Sequence, residues 1–166
     1  AMQNNDLALA GSLAAKARAD FPQDARIAHM AGNIALKSNQ AKAAAENFAT
    51  ARELQPGSLD YALDHGIALQ RLGQYREVLA ILEENEAAGR SNVRYANIRA
   101  ATHRALRDLR ASARWYDHAL SLNARNPLAL QGRARVALER NEPIALALHD
   151  RALALAPGDA NLWIGK

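Results

Sequence analysis

Small residues return along this chain at a fixed step: Ala17, Ala51, Asn85, Ala119 and Ala152 stand 34, 34, 34 and 33 residues apart, with Asn85 alone departing from Ala. Three further columns keep the step. Ala10, Ala44, Val78, Ser112 and Ala145 form one, Ala14, Phe48, Leu82, Tyr116 and His149 another, and Gly32, Gly66, Ala100 and Ala134 a third that is small throughout. Pro22, Pro56 and Pro157 mark unit ends, Arg90 and Ala124 hold the two intermediate positions, and one residue is deleted between Asn141 and Ala145. A period of this length means that one supersecondary unit is copied along the chain, and such a unit buries its apolar face against the next copy.

Composition decides what the unit is made of. The chain holds 39 Ala and 23 Leu against 3 Val, 7 Ile and 2 Thr, a balance of good helix formers over β-branched residues that excludes a sandwich or barrel. In the best-formed unit Tyr61-Ala62, Gly66 and Leu69 recur at helical spacing, Leu72-Gly73-Gln74-Tyr75 breaks the run, and Val78, Leu79 and Leu82 resume it. The break is too short for anything but an antiparallel neighbour, so each unit is a helical hairpin, with Gly66 and Ala100 as contact points between helices. The spacing predicts first helices near 26–38, 60–72, 93–106 and 127–140, and second helices near 41–54, 75–87, 109–122 and 143–155. A lone second helix, about 6–19, precedes them, and a truncated first helix opens at Ala160. In this register Ala44, Phe48 and Ala51 pack against Ala28, Gly32 and Ala35.

The 34-residue period, together with Gly66-x-x-Leu69-x-x-x-Gly73-x-Tyr75, Trp115-Tyr116-Asp117-His118-Ala119-Leu120-x-Leu122 and Ala152-Leu153-Ala154-Leu155-Ala156-Pro157, resembles the tetratricopeptide repeat (TPR). Trp163 falls where the next first helix would carry the family's Trp. The resemblance covers nearly the whole chain and implies an all-α fold, an α-solenoid that winds antiparallel helix pairs into a right-handed superhelix. It implies one array over 1–166: a half repeat at 6–22, full repeats at 25–58, 59–92, 93–126 and 127–159, and a truncated repeat at 160–166. The seventh position of each unit departs from the family's usual aliphatic residue, reading Ala31, His65, Arg99 and Arg133.

Few residues suggest chemistry. The absence of Cys removes disulfides, thiolate nucleophiles and zinc-thiolate sites, and leaves cytoplasm and bacterial periplasm both open, with cytoplasm the favoured expectation. No apolar run approaches the roughly 20 residues a bilayer demands, so membrane insertion is not expected. His29, His65, His103, His118 and His149 include no two at the spacing that puts both on one helix face, so packing or surface roles are expected and no metal. There is no Gly-rich phosphate loop and no Ser-centred nucleophile elbow, and Glu83-Glu84 belongs to an acidic run that reads as a solvated face. The expectation is a protein that is not an enzyme and takes no cofactor. Ala1-Met2 has the form of a short scar ahead of a start codon, and Asn161 to Lys166 reads as a cut through a longer protein. Apolar surface around Leu7, Leu9, Leu13 and Trp163 is then expected to be covered by further chain or to self-associate. The ratio of 17 Arg to 4 Lys, with so much Ala, suggests a bacterial source.

In the family that the repeats resemble, first helices line a concave groove that receives an extended or helical peptide. Projected onto this chain, those positions are Arg26, His29, Asn33 and Lys37, then Asp60, Leu63, Asp64, Ile67 and Arg71, then Arg94, Asn97, Ala101 and Arg104, and finally Gln131 and Arg135. Some members clamp a terminal carboxylate between Lys and Asn; His29 and Asn33 resemble that weakly, Asp64 and Ile98 contradict it, and chaperone-tail binding is not expected. Residues 1–88 hold 8 basic and 11 acidic residues, whereas residues 89–140 hold 11 Arg and 3 acidic ones. Nucleic acid is disfavoured because these Arg spread round both helices and stacking aromatics are few. Arg71, Arg94 and Arg104 are expected to form a basic strip for an acidic peptide. The expected function is a non-catalytic protein-protein interaction scaffold. The alternative is the N-terminal repeat region of a larger bacterial enzyme, such as a sulfotransferase or glycosyltransferase.

Overall fold

The computed structural model describes residues 2–155, all of whose regular structure is helical. Pro157, Trp163 and the truncated repeat from Ala160 lie outside the described residues. The helices are α1 (Met2–Asp20), α2 (Ala25–Lys37), α3 (Ala41–Leu54), α4 (Leu59–Arg71), α5 (Tyr75–Glu84), α6 (Glu86–Gly89), α7 (Val93–Ala105), α8 (Leu109–Leu122), α9 (Pro127–Glu139) and α10 (Ala145–Leu155). They divide into two compact units between Asn85 and Glu86.

Two further columns punctuate the repeats at the helix ends. Asp24, Ser58, Asn92 and Asn126, each 34 residues after the last, cap the first helices, their side-chain oxygens accepting from the backbone N–H of Arg26, Tyr61, Tyr95 and Ala129. Asn39, Gly73, Arg107 and Asn141, at the same step, take positive φ values of 58°, 76°, 64° and 56° just past the first helices. The next residue then closes the helix by donating back to the carbonyl five residues earlier: Gln40 to Ala35 (2.8 Å), Gln74 to Leu69 (3.0 Å), Asp108 to His103 (2.9 Å) and Glu142 to Ala137 (2.8 Å). This left-handed cap satisfies orphan carbonyls and turns the chain straight into the second helix.

In the first unit the Phe48 ring of α3 lies so close over Gly32 of α2 that a Cβ there would come within 2.5 Å of it. Ala28, Ala35, Ala44 and Ala51 are buried around this contact, as the repeat register requires. Gly66 is different. A Cβ at Gly66 would meet Val78 at 3.5 Å, an ordinary contact, so close approach does not demand glycine there. Leu63, expected in the groove, is wholly buried among core side chains instead. The second helix expected to reach residue 87 stops at Glu84. Asn85 stands where the other repeats carry Ala; its side-chain amide donates to the Ile81 carbonyl (2.8 Å) while its backbone N–H turns to Leu82 (3.2 Å).

In the second unit Tyr116 of α8 lies directly over Gly132 of α9, and Tyr95 over Gly89. Ala96, Ala100, Ala113, Ala119 and Val136 pack with Tyr116, and Leu130, Ala134, Leu148 and Ala152 form a second cluster. Ser112, wholly buried in the column that elsewhere holds Ala or Val, donates to the Ala100 carbonyl across the hairpin at 2.8 Å. The seventh-position arginines are packed, not splayed. Arg99 stacks 4.4 Å from the Trp115 ring centre and bonds Glu86 and the Tyr95 hydroxyl; Arg133 bonds Asp117 (2.9 Å) and Glu142 (2.7 Å). Burial works against the Arg133 charge, but Glu142 and Asp117 hold it above the ordinary value.

Candidate functional site

The candidate surface is the face carried by the first helices, α2 and α4 in the first unit and α7 and α9 in the second. In the first unit His29 of α2 meets Asp64 of α4 at 2.5 Å, and both side chains are largely buried. The His29 ring is held between Tyr61 and Phe48, with centroids 4.7 and 5.4 Å away, and Asn33 approaches its Nδ1 at 3.4 Å. A carboxylate only accepts, so the His29 Nε2–H donates to Asp64, while the Asn33 amide stands 3.4 Å from both ring nitrogens. Two turns further along, Arg71 of α4 donates to the Leu36 carbonyl of α2 at 3.1 Å. Lys37 and Asp60 are exposed and Ile67 is half-buried. Arg26 folds back on the α2 cap, bonding Asp24 at 2.7 Å and holding that carboxyl at a pKa of about 2.

In the second unit Arg104 of α7 donates to Glu139 of α9 at 2.7 Å, and Arg107 from the turn reaches the other oxygen at 2.9 Å. Asn97 donates to Asn126, the cap of α9, at 3.1 Å. Arg94 and Arg135 are exposed, while Gln131 and Ala101 are half-buried. The ties share a step: His29 to Asp64, Leu36 to Arg71 and Arg104 to Glu139 are each 35 residues apart. One period plus one residue is the offset at which successive first helices meet side by side. The sequence projection found the positions but missed Glu139, which neutralises Arg104 and so weakens the expected basic strip. Arg71 and the pair Arg94 and Arg104 belong to different units.

Solved structures share this architecture. A MamA fragment (41-end) from Desulfovibrio magneticus RS-1 superposes with a TM-score of 0.81 at 14% identity, covering 96% of this chain and 90% of that one. TTC0263, a thermophilic TPR protein of Thermus thermophilus, gives 0.79 at 21% identity over 98% and 90%. The fold is of the tetratricopeptide-repeat type. YrrB, a TPR protein described as having an unusual peptide-binding site, gives 0.73 at 18% identity over 97% and 83%. No protein-family model and no curated protein sequence matches the chain. Identities this low relate the TPR hairpins by geometry, and the side chains on their first helices have to be read from this chain itself.

The surface of the first helices is polar, tied within itself and poor in reactive groups. Among the described residues no three His, Asp or Glu side chains group as metal ligands, and no helix is long and apolar enough to cross a membrane. His103 faces Asp108 at 3.6 Å, and His65 is half-buried with its Nδ1 unbonded, burial and then the nearby Arg52 charge holding its pKa at about 4.

Proposed function

We propose that the chain is a non-catalytic protein-interaction scaffold, one TPR array over residues 1–166 that holds a peptide or protein segment against its first helices. The observation that carries this reading is the set of ties at a step of 35 residues between successive first helices. They fix polar side chains before any partner arrives, which lowers the ordering cost of binding. Around the ties stand side chains able to reach a partner: Arg26, Asn33, Lys37, Asp60 and Ile67 in the first unit, Arg94, Asn97, Gln131 and Arg135 in the second. The peptide-binding site described for YrrB supports the same reading. Exposed Lys37 and Arg135 favour an acidic segment and binding that weakens with salt. The test is capture of protein partners by wild type and by Lys37→Glu/Arg94→Glu/Arg135→Glu. The variant loses the partners that wild type holds at low salt; equal capture by both folded proteins contradicts the reading.

A further inference from the structure

A second surface of the C-terminal unit carries a more specific site, and none of its residues belongs to a first helix. Arg90, in the turn before α7, and Arg114, Trp115 and His118, on α8, line a groove of about 410 Å³. We propose that this groove docks an acidic peptide segment that lays an apolar side chain against Trp115 and places its carboxylates on Arg90 and Arg114.

The wall is fixed in advance. Trp115 has Arg99 at 4.4 Å from its ring centre and the Tyr95 and His118 rings steeply inclined to it with centroids 5.8 and 5.5 Å away, so three neighbours hold its rotamer. The His118 imidazole, through its Nε2–H, donates to the Arg90 carbonyl at 2.7 Å and ties α8 to the turn that forms the opposite wall. An indole held in this way, rimmed by guanidinium groups, is the kind of anchor that dominates peptide interfaces.

Charge selects the occupant. Glu86 is shared by Arg90 (2.8 Å) and Arg99 (3.2 Å), so these two guanidinium groups have one carboxylate between them. Arg114 is exposed and adds a second guanidinium to the groove lining beside Arg90. Guanidinium forks match carboxylates in geometry as well as sign. The space is large enough for a side chain and its backbone, more than a simple anion needs, and its principal wall is an indole. A nucleic-acid strand is the poorer match, because successive bases need a run of stacking platforms and the groove offers one indole beside a His118 ring tied to the Arg90 carbonyl.

The chain has 2 Trp residues, so replacing Trp163 with Phe leaves Trp115 as the reporter of its own groove. In that background Trp115 fluorescence is titrated at low salt with short capped peptides of Glu and Asp around one Phe, with the same peptides carrying Lys for each acid, and with oligodeoxythymidylate. The acidic peptides saturate the signal, the Lys peptides do not, and Arg90→Gln/Arg114→Glu weakens the acidic peptides by about tenfold or more with helicity unchanged. Lys37→Glu/Arg135→Glu, on the first helices, leaves this titration as it was, so the site stands or falls separately from the scaffold reading. Failure of every acidic peptide to saturate, equal binding by wild type and Arg90→Gln/Arg114→Glu, or tighter binding of oligodeoxythymidylate would each overturn the proposal.

Discussion

Glycine shows how much one atom decides in this fold. At Gly32 and Gly132 an added Cβ runs into the buried rings of Phe48 and Tyr116, which have no room to retreat, whereas at Gly66 it meets Val78 at van der Waals distance. Gly32→Ala and Gly132→Ala are each expected to lose about 1–3 kcal/mol. Gly66→Ala should gain about 0.5–1 kcal/mol, because the helix sheds glycine's backbone entropy without a clash. Thermal melts of the three variants check the contrast. The sequence points to Gly32 and Gly66 alike through their shared column, but it cannot tell which has a ring above it, and Gly132 lies outside that column altogether. His65 gives a second residue-level expectation. Its pKa falls from 6.5 to about 4 in the folded chain, so between those values the unfolded chain binds more protons than the folded one. Stability is then full above about pH 6.5 and declines as pH drops toward 4, by at most about 3 kcal/mol and less because water reaches the half-buried ring. Denaturant midpoints measured across this range should flatten in His65→Gln. An unchanged slope in that variant would assign the acid sensitivity to other groups.

At the scale of the element, helix ends carry the repeat as faithfully as helix faces do. The apolar columns made the first and second helices legible to within a residue or two for most hairpins, because each amphipathic face is rewritten at every period. The caps and left-handed turns follow the same step, yet they mix Asp, Ser and Asn in one column and Asn, Gly and Arg in the other, which hides them from a search for identical residues. Asn126 caps α9 at 2.8 Å and also accepts from Asn97, whereas Ser58 caps α4 at 3.4 Å. Asn126→Ala should therefore cost about 1–2 kcal/mol and Ser58→Ala less. In the turn column Gly73→Ala should cost about 1–2 kcal/mol. Arg107→Gly relieves a side chain held at φ 64° while removing its exposed ion pair with Glu139, worth no more than about 1 kcal/mol, so its expected net effect is a small gain. Calorimetric melts of the four variants test the ordering. Asn85 illustrates the limit of periodicity: it is visible as an exception in its column, but the end of α5 beside it is not, and Asn47 makes the same kind of bond to Ala43 inside α3.

For the whole molecule, the period named the architecture before any contact was known, because a copied hairpin has few ways to bury its face. The candidate surface was half legible. Its positions follow from the register, whereas its ties depend on the one-residue offset between neighbouring first helices and on acids, Glu139 above all, that lie outside the projected set. A charge count therefore overstates how much of the arginine excess is available to a partner. The central claim is that the first helices carry the partner. A photo-crosslinking amino acid placed in turn at the exposed first-helix positions Lys37, Asp60, Arg94 and Arg135, and at the exposed second-helix positions Lys42 and Glu53 as controls, tests it directly. Crosslinks to the same captured protein at the first-helix positions and none at Lys42 or Glu53 are the predicted result; crosslinks confined to the second helices would contradict it.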